Sequence, residues 1–363
     1  MINFVEPSVT KVTETNLQKR VEAAYRICYK SEGKMTEDSY KEFLPRMIYT
    51  DRKNKHWSPL EHSRIEISCP AGLRPLFEDY IAYHSYKNAR GYWPLVLPEL
   101  SNPDFGKPSM TVKGNFRVWM EFLTWMGWDA MDLFKKSCLC HAMDGLMNEI
   151  GAYRMSYERI LYILQERLHA IYPAVFKNPK ESFLPTGDPG MMRGASNDEI
   201  KMFEISSAFD YTTVHVITTR DILQELARHR SLSFSVESTR YCNYGKRGMT
   251  FTIPRPYDWT ELIPKQKWAD FTWPIEPATP GDDRWNVLTQ YIESCFEAEA
   301  RYNRMIALGC KPQEARMVLP GSLKTEMFLT GTRAAWEAFL KLRLDEAAHP
   351  MIRILAGKIK GCL

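Results

Sequence analysis

The chain has 363 residues, a length suited to two domains. It contains 44% hydrophobic and 25% charged residues, as soluble globular proteins do, and its net charge of +4 argues against a general polyanion binder such as a nucleic-acid-binding protein. Because it has no long apolar run and no N-terminal segment of the signal-peptide type, we expect a cytoplasmic protein that does not span or bind a membrane.

The first half of the chain predicts mainly helices. The segment 17–30 places four apolar residues at helical spacing, and residues 63–69 alternate like a strand. Further helices are predicted over 37–49, 73–86 and 115–125 and onward to about 172, with a turn at 58–62 and a proline-rich loop over 91–110.

The second half follows a predicted linker. Residues 176–200 hold three prolines, three glycines and many polar residues, so we expect domains at 1–180 and 201–363 joined by a linker at 181–200. The second domain is predicted to contain strands at 206–218 and 250–254, a loop at 256–282, helices at 222–230, 283–308, 332–343 and 350–358, and a turn at 314–320. Together the two halves predict an α/β (α+β) fold.

The cysteines and glycines indicate which ligand sites to expect. Cys138, Cys140 and His141 form the one cysteine cluster, but their spacing is wrong for a zinc knuckle. The sequence has no second ligand pair to complete a zinc site with them, so no metal site is predicted. Neither a G-x-G-x-x-G nor a G-x-x-x-x-G-K-[ST] motif is present. A nucleotide or flavin would therefore have to be held by side chains.

One run in the second half, ELARHRSLSFSVESTRY, concentrates groups that bind anions. It contains Arg228, His229 and Arg230, followed by Ser238 and Arg240. Arginine stays protonated and matches phosphate oxygens bidentately, while a serine hydroxyl can donate to a phosphate or a pyrimidine carbonyl. The run predicts a binding site for a doubly anionic small molecule, most simply a nucleotide.

In detail, the run resembles the signature of the flavin-dependent thymidylate synthases. R-H-R is followed by seven residues, then Ser238 and Arg240, and Glu225 stands three residues ahead of Arg228. Residues 58–62 (S-P-L-E-H) resemble the early S-P-x-E-H element of that family, and residues 111–117 resemble its late T-x-x-G-N-x-R element.

These elements are divided between the halves. The first half has the early and late elements but Tyr83-His84-Ser85 where R-H-R is expected, whereas the second half has R-H-R but Thr332 and Ala334 in place of the late Asn and Arg. We interpret the chain as two tandem copies of a thymidylate synthase-like domain, each having lost what the other kept.

The resemblance implies roles for particular residues. Arg343, Arg228 and Ser238 are the expected catalytic residues, with Arg343 facing the uracil ring and Ser238 acting as a binding group rather than a nucleophile. FAD would contact Arg228, His229 and Arg230 of the second half and His62, Asn115 and Arg117 of the first half. The substrate dUMP would be bound by Glu225, Arg228, Ser238, Thr239, Arg240, Arg316 and Arg343.

The resemblance also implies the reaction: transfer of a one-carbon unit from methylenetetrahydrofolate to carbon 5 of dUMP, with FAD as cofactor and NADPH as reductant, giving dTMP. Because the family builds its sites across subunit boundaries, we expect a homo-oligomer in which a dimer of fused chains mimics the family's tetramer. Two alternatives stay open: a flavin-dependent hydroxymethylase or related one-carbon transferase on a pyrimidine nucleotide, and a non-catalytic nucleotide- or flavin-binding homologue.

Overall fold

The computed structural model describes residues 2–49, 56–88, 98–101, 109–125, 157–171, 173, 201, 204–207, 211–253, 263, 265–272 and 283–363. The helices are α1 Leu17–Tyr29, α2 Tyr40–Tyr49, α3 Arg74–Asn88, α4 Phe116–Thr124, α5 Tyr157–Ile171, α6 Arg220–Leu226, α7 Tyr244–Arg247, α8 Asp283–Ala307, α9 Pro312–Ala315, α10 Arg333–Arg343 and α11 Pro350–Lys360. The strands are β1 Ile2–Val5, β2 Ser8–Lys11, β3 Arg64–Pro70, β4 Glu99–Leu100, β5 Ser109–Asn115, β6 Glu204–Ser207, β7 Tyr211–Thr219, β8 Ser233–Val236, β9 Met249–Thr252 and β10 Lys324–Thr332.

Two compact units divide the chain, and the first is built around an antiparallel sheet. This first unit comprises Met1–Thr13, Ala23–Lys34 and Asp210–Leu363. Its four-stranded sheet has the order β2-β7-β10-β8, and β1 pairs in parallel with β9. Apolar residues of β7 and β10 pack with helices α6, α10 and α11 in one core, whose members include Val216, Leu329, Trp336, Phe339 and Ile352.

The second unit comprises Glu14–Glu22 and Met35–Phe209, and it contains another antiparallel sheet. The strand order is β4-β5-β3-β6. Aromatic side chains pack on this sheet: Phe77 stacks on Phe122, which meets Trp119 edge to face. The mixture of helices and sheets in both units confirms the predicted fold class.

Several boundaries differ from the sequence-based expectations. The N-terminal strands β1 and β2 pair with β9 and β7, so they join the unit formed by the C-terminal half, although we had assigned them to the domain 1–180. The single strand predicted over 206–218 is wrong, because β6 pairs with β3 whereas β7 pairs with β10. The predicted linker 181–200 lies outside the described residues, and the domain boundaries stay a prediction.

Within each unit the same local arrangement recurs at a strand-to-helix junction. Asn115 ends β5 and accepts a hydrogen bond from the Val118 amide at 2.9 Å, which caps α4. Thr332 ends β10 and accepts from the Ala335 amide at 3.3 Å, which caps α10. A cap of this kind satisfies one of the amide groups that a helix leaves open at its start.

The glycine and tryptophan around each cap also correspond. Gly114 pairs with Ile65 across the sheet, and the Trp119 indole donates to the Ile65 carbonyl at 3.4 Å. Gly331 pairs with Thr212, and the Trp336 indole donates to the Thr212 carbonyl at 3.1 Å. A Cβ atom on Gly114 would come within 3.1 Å of the Val118 side chain, and one on Gly331 would clash with the Leu232 side chain, so each junction favours glycine because of a different neighbour. The sequences around them read GNFRVWMEFL and GTRAAWEAFL.

Candidate functional site

The R-H-R motif lies in a tight turn between α6 and β8, although we had predicted that the helix would continue to residue 230. The helix ends at Leu226, and the next amides bond backward at short range: Arg228 to the Glu225 carbonyl at 3.4 Å and His229 to the Leu226 carbonyl at 2.9 Å. This tightening is common at helix ends. It leaves Arg228 and Arg230 exposed, while His229 is half-buried.

The structure brings Arg343, at the end of α10, onto this turn. Its Nε donates to His229 Nε2 at 2.7 Å, its Nη1 lies 2.9 Å from Glu225 Oε2, and its Nη2 donates to the Glu225 carbonyl at 3.0 Å. Three of the five guanidinium N–H groups are therefore bound, and two remain for a ligand. We call Glu225, His229 and Arg343 the arginine cluster.

His229 is held in one protonation state by these contacts. Because its Nε2 accepts a hydrogen bond from Arg343, the ring is neutral and its proton lies on Nδ1. Burial and the neighbouring guanidinium lower the pKa of His229, which agrees with that state. The ring also packs edge to face on Phe339, with centroids 4.9 Å apart, so its orientation is fixed from two sides.

A second group of predicted residues meets beyond the other end of β8. The Arg316 Nη1 donates to the Thr239 hydroxyl at 3.3 Å, and the Arg240 amide donates to the Ser238 hydroxyl at 3.2 Å. Arg240 also lies over the ring of Tyr241, 5.6 Å from its centroid. We call Ser238–Arg240 together with Arg316 the serine–arginine cluster.

Arg228, Arg240 and Arg316 are the exposed cations among the predicted site residues. All three are exposed, and in the part of the chain that the structure describes none of them forms an ion pair. Most exposed arginines are solvated, so one such residue indicates little. Two of the three, however, flank the Thr239 contact, which is the pattern expected where an anion binds.

Strand β8 connects the two clusters. It begins three residues after Arg230, ends two residues before Ser238, and forms an edge of the first unit's sheet. Four residues of strand rise roughly 13 Å, so β8 separates the clusters along the chain by about that length. The predicted dUMP residues thus lie within one unit, in two groups joined by a rigid strand.

The three flavin contacts predicted from the first half lie in the second unit, each with a structural partner. His62 is fully buried, and Asn115 caps α4. Arg117 donates through Nη1 to Glu61 at 2.6 Å and through Nε to Glu121 at 2.7 Å. A flavin contact by Arg117 would use the N–H groups left on Nη1 and Nη2. With Glu61 and Glu121 as partners, the group around Arg117 has a negative net charge.

His62 predicts a pH dependence of stability. Burial, and to a smaller extent the Arg20 charge, lower the pKa of His62 to about 3, whereas an exposed histidine titrates near 6.5. The unfolded chain therefore binds a proton between these values that the folded chain does not. His62 should reduce the free energy of unfolding by about 1.4 kcal/mol for each pH unit below 6.5, down to about pH 3.

The substitution His62→Gln should remove this slope, because an amide does not titrate. The measurement is the free energy of urea unfolding of both proteins at pH 7.5, 6 and 5. If the variant has a lower free energy of unfolding than the wild type at pH 7.5, the difference between the two proteins should shrink as the pH falls. If the free energy of unfolding depends on pH in the same way for both proteins, the lowered pKa of His62 is contradicted.

Residues that we did not single out support the serine–arginine cluster. Glu237 stands directly before Ser238, and its partners Tyr244 and Lys324 lie in α7 and at the start of β10. Glu237 could have been noticed from the sequence as an acidic residue within a run of cations. Nothing in the sequence around Lys324 indicates that it contacts this run.

Two absences apply to the described ranges alone. No group of three or more His, Cys, Asp or Glu residues there could hold a metal ion, and Cys138, Cys140 and His141 lie outside those ranges. No helix there is long and apolar enough to cross a bilayer.

Comparison with known proteins points to one family. Residues 202–363 match the family model described as thymidylate synthase complementing protein. A probable flavin-dependent thymidylate synthase of Mycobacterium phage L5 is 32% identical over 166 residues, covering 44% of this chain and 58% of the relative. The flavin-dependent thymidylate synthase of Aquifex aeolicus is 28% identical over 162 residues, covering 44% and 48%.

The chain thus spans about half the length of these two relatives. Among solved structures, the UMP/dUMP methylase PolB from Streptomyces cacaoi bound with 5-Br dUMP has 26% sequence identity over 42% of this chain and 64% of its own, with a TM-score of 0.33. The matched region 202–363 contains both clusters and the whole R-H-R run. Through residues 202–363, the chain is similar to the flavin-dependent thymidylate synthases.

Proposed function

We propose that this protein transfers a one-carbon unit to carbon 5 of dUMP, with methylenetetrahydrofolate as donor, FAD as cofactor and NADPH as reductant. The observation that carries the proposal is the arginine cluster. Residues 114 positions apart in the sequence, His229 and Arg343, meet through a 2.7 Å hydrogen bond, and both are residues that the resemblance assigned to the site. The match of residues 202–363 to the thymidylate synthase complementing protein model supports the same reaction.

In this proposal Arg343 acts on the uracil ring. Making carbon 5 nucleophilic places negative charge on the ring and its carbonyl oxygens, and donors already fixed in position stabilise that charge at little reorganisation cost. Arg343 has two N–H groups left for this task, and Glu225 and His229 hold the guanidinium in place. The serine–arginine cluster binds the phosphate, with Arg240 and Arg316 as the cations and Ser238 as a hydroxyl donor.

The R-H-R turn has groups suited to a flavin nucleotide. Arg228 is exposed and has no carboxylate partner among the described residues, as a pyrophosphate ligand requires, and neutral His229 has its Nδ1–H to donate. When bound, the flavin supplies hydride transfer. The contributions of His62, Asn115 and Arg117 to flavin binding stay a prediction.

The test is release of tritium from 5-tritiated dUMP with methylenetetrahydrofolate, NADPH and FAD supplied. We expect release that depends on both the folate and the flavin, with dTMP identified by mass spectrometry. A hydroxymethylated product would replace the thymidylate synthase reaction with the hydroxymethylase alternative. No release and no bound flavin would overturn the proposal in favour of a non-catalytic homologue.

Arg316 should recognise the phosphate specifically. We expect Arg316→Ala to weaken dUMP binding by roughly 10- to 100-fold, the contribution of one charge-assisted hydrogen bond, with no change for deoxyuridine, which lacks the phosphate. Titration calorimetry measures both ligands. Arg301→Ala is the matched control, since Arg301 is exposed and pairs with Glu297 one helical turn away. Equal weakening of dUMP and deoxyuridine would contradict the phosphate role.

We also propose that the chain arose by tandem duplication. The support is the matching pair of junctions, in which a glycine precedes the capping residue, and the capping residue and a buried tryptophan make corresponding hydrogen bonds in both units. Arg117 of one copy corresponds to Ala334 of the other, and the arginine cluster belongs to the first unit alone. Calorimetry should therefore give one dUMP per chain, and two equal sites would contradict this division.

A further inference from the structure

A buried ionic group surrounds Glu237, the residue that precedes Ser238. Glu237 is 1% exposed, and its Oε2 lies 3.0 Å from Lys324 Nζ, which is itself buried at the start of β10. Its Oε1 accepts a hydrogen bond from the Tyr244 hydroxyl at 2.7 Å and lies 3.5 Å from Lys30 Nζ. Lys324 also pairs with Glu326. Both oxygens of this buried carboxylate therefore contact a hydrogen-bond donor or a cation.

The backbone on each side of Glu237 is fixed as well. The Glu237 amide donates to the Glu326 carbonyl at 2.9 Å, and its carbonyl accepts from Arg220 Nη1 at 3.0 Å. The Ser238 amide donates to the Cys28 carbonyl at 3.0 Å, and its carbonyl accepts from the Cys242 amide at the same distance. The chain entering the serine–arginine cluster therefore has its backbone groups bound on both sides.

Stability alone is a weak reason for such a group. A buried ion pair rarely stabilises a fold more than apolar side chains of the same volume would, because removing two charges from water costs most of what their attraction contributes. Placing ligand-binding groups within a fraction of an ångström, in contrast, needs supporting contacts of defined direction. The ion pair here lies one residue from the binding segment.

We propose that Glu237 is a positioning residue, and that its ion pair with Lys324 holds the segment Ser238–Arg240 in the geometry that binds the nucleotide phosphate. This inference rests on the proposed function, since it assumes that this segment binds dUMP. Glu237 itself does not touch the ligand. It acts through the backbone of Ser238, and Tyr244 and Lys324 orient its carboxylate.

The experiment measures dUMP and FAD affinity by calorimetry, and stability by thermal unfolding, for the full chain and its variants. Glu237→Gln keeps the size and the acceptor for Tyr244 but removes the charge. We expect its dUMP dissociation constant to rise about tenfold, comparable to the loss of one charge-assisted hydrogen bond, and its FAD affinity to stay unchanged. Leu355→Ala, in the buried core of α11, is the control for a loss of stability without a loss of positioning.

The double variant Glu237→Gln/Lys324→Met separates positioning from stability. Removing both charges should restore part of the stability lost in Lys324→Met, since no buried carboxylate remains at position 237; Glu326, which is 22% exposed, still loses its cation. If the ion pair positions the segment, dUMP affinity stays weak in the double variant. If affinity recovers together with stability, the inference is overturned.

Further outcomes are also decisive. A folded Glu237→Gln protein that binds dUMP like the wild type would overturn the role of Glu237. Should that variant not fold, Tyr244→Phe removes only the hydroxyl donor to Glu237, and we expect dUMP binding weakened about threefold; unchanged binding would overturn the inference. A wild-type protein that binds no dUMP would overturn the proposed function, and this role with it.

Discussion

An Arg343→Ala variant is expected to lose activity on the order of a thousandfold in kcat/KM while remaining folded. Arg343 uses three N–H groups to bind Glu225 and His229 and has two left for the uracil ring. Removal of one preorganised donor from a site of developing charge typically costs about 100- to 1,000-fold. Here the same substitution also releases Glu225 and His229 from their fixed positions. Tritium release from 5-tritiated dUMP measures the effect.

Two further variants test the cause. Arg343→Lys keeps the positive charge, but three contacts with His229 and Glu225 would use all three N–H groups of an ammonium and leave none for uracil, so we expect little recovery. Arg333→Ala is the control on the same helix. Arg333 is 90% exposed and pairs with Glu337, so its removal should change kcat/KM less than about twofold. Near-normal activity in Arg343→Ala would remove Arg343 from the proposed reaction.

The absorbance of bound FAD distinguishes two ways in which Arg343→Ala could lose activity. If the residue acts on uracil, the variant keeps its flavin and loses the chemical step. If it acts mainly by orienting His229, flavin affinity falls as well. The contact between Arg343 Nε and His229 Nε2 is the one through which this second effect would act.

The elements that the sequence predicted well are those with local periodic patterns. Helix α1 and the helices α10 and α11 lie within two residues of the predicted ranges, because a helix that buries one face repeats its apolar residues every three to four positions. Strand β10 was missed. It lies between β7 and β8 and is buried along most of its length, so the alternation of apolar and polar residues that marks a half-buried strand is absent.

The N-terminal strands were missed for a different reason. Strand β1 pairs with β9, so Ile2 lies opposite Met249, and nothing in a four-residue segment indicates a partner in the other half of the chain. The same limit applies to the candidate site. The run around R-H-R could be read directly, and resemblance added Arg316 and Arg343, but the support that Lys324 gives to Glu237 depends on where β10 lies.

Lys324→Met is expected to destabilise the protein by about 3–5 kcal/mol, because it leaves a buried carboxylate without its main cation. Burial alone would lower the pKa of Lys324, but the carboxylates of Glu237 and Glu326 outweigh burial and raise it, so the side chain is charged at neutral pH. Methionine fills a similar volume, which limits the loss of packing. Urea unfolding followed by circular dichroism measures the change.

The matched control for this variant is Lys113→Met in the second unit. Lys113 also lies on a strand and pairs with a glutamate, Glu66, at 3.3 Å, but its side chain is 34% exposed, against 5% for Lys324. Water replaces the lost cation there, so we expect a cost under about 1 kcal/mol. Equal costs for the two variants would mean that Glu237 reaches water when Lys324 is removed. Its carboxylate would then lack the enclosed surroundings on which its proposed positioning of Ser238 depends.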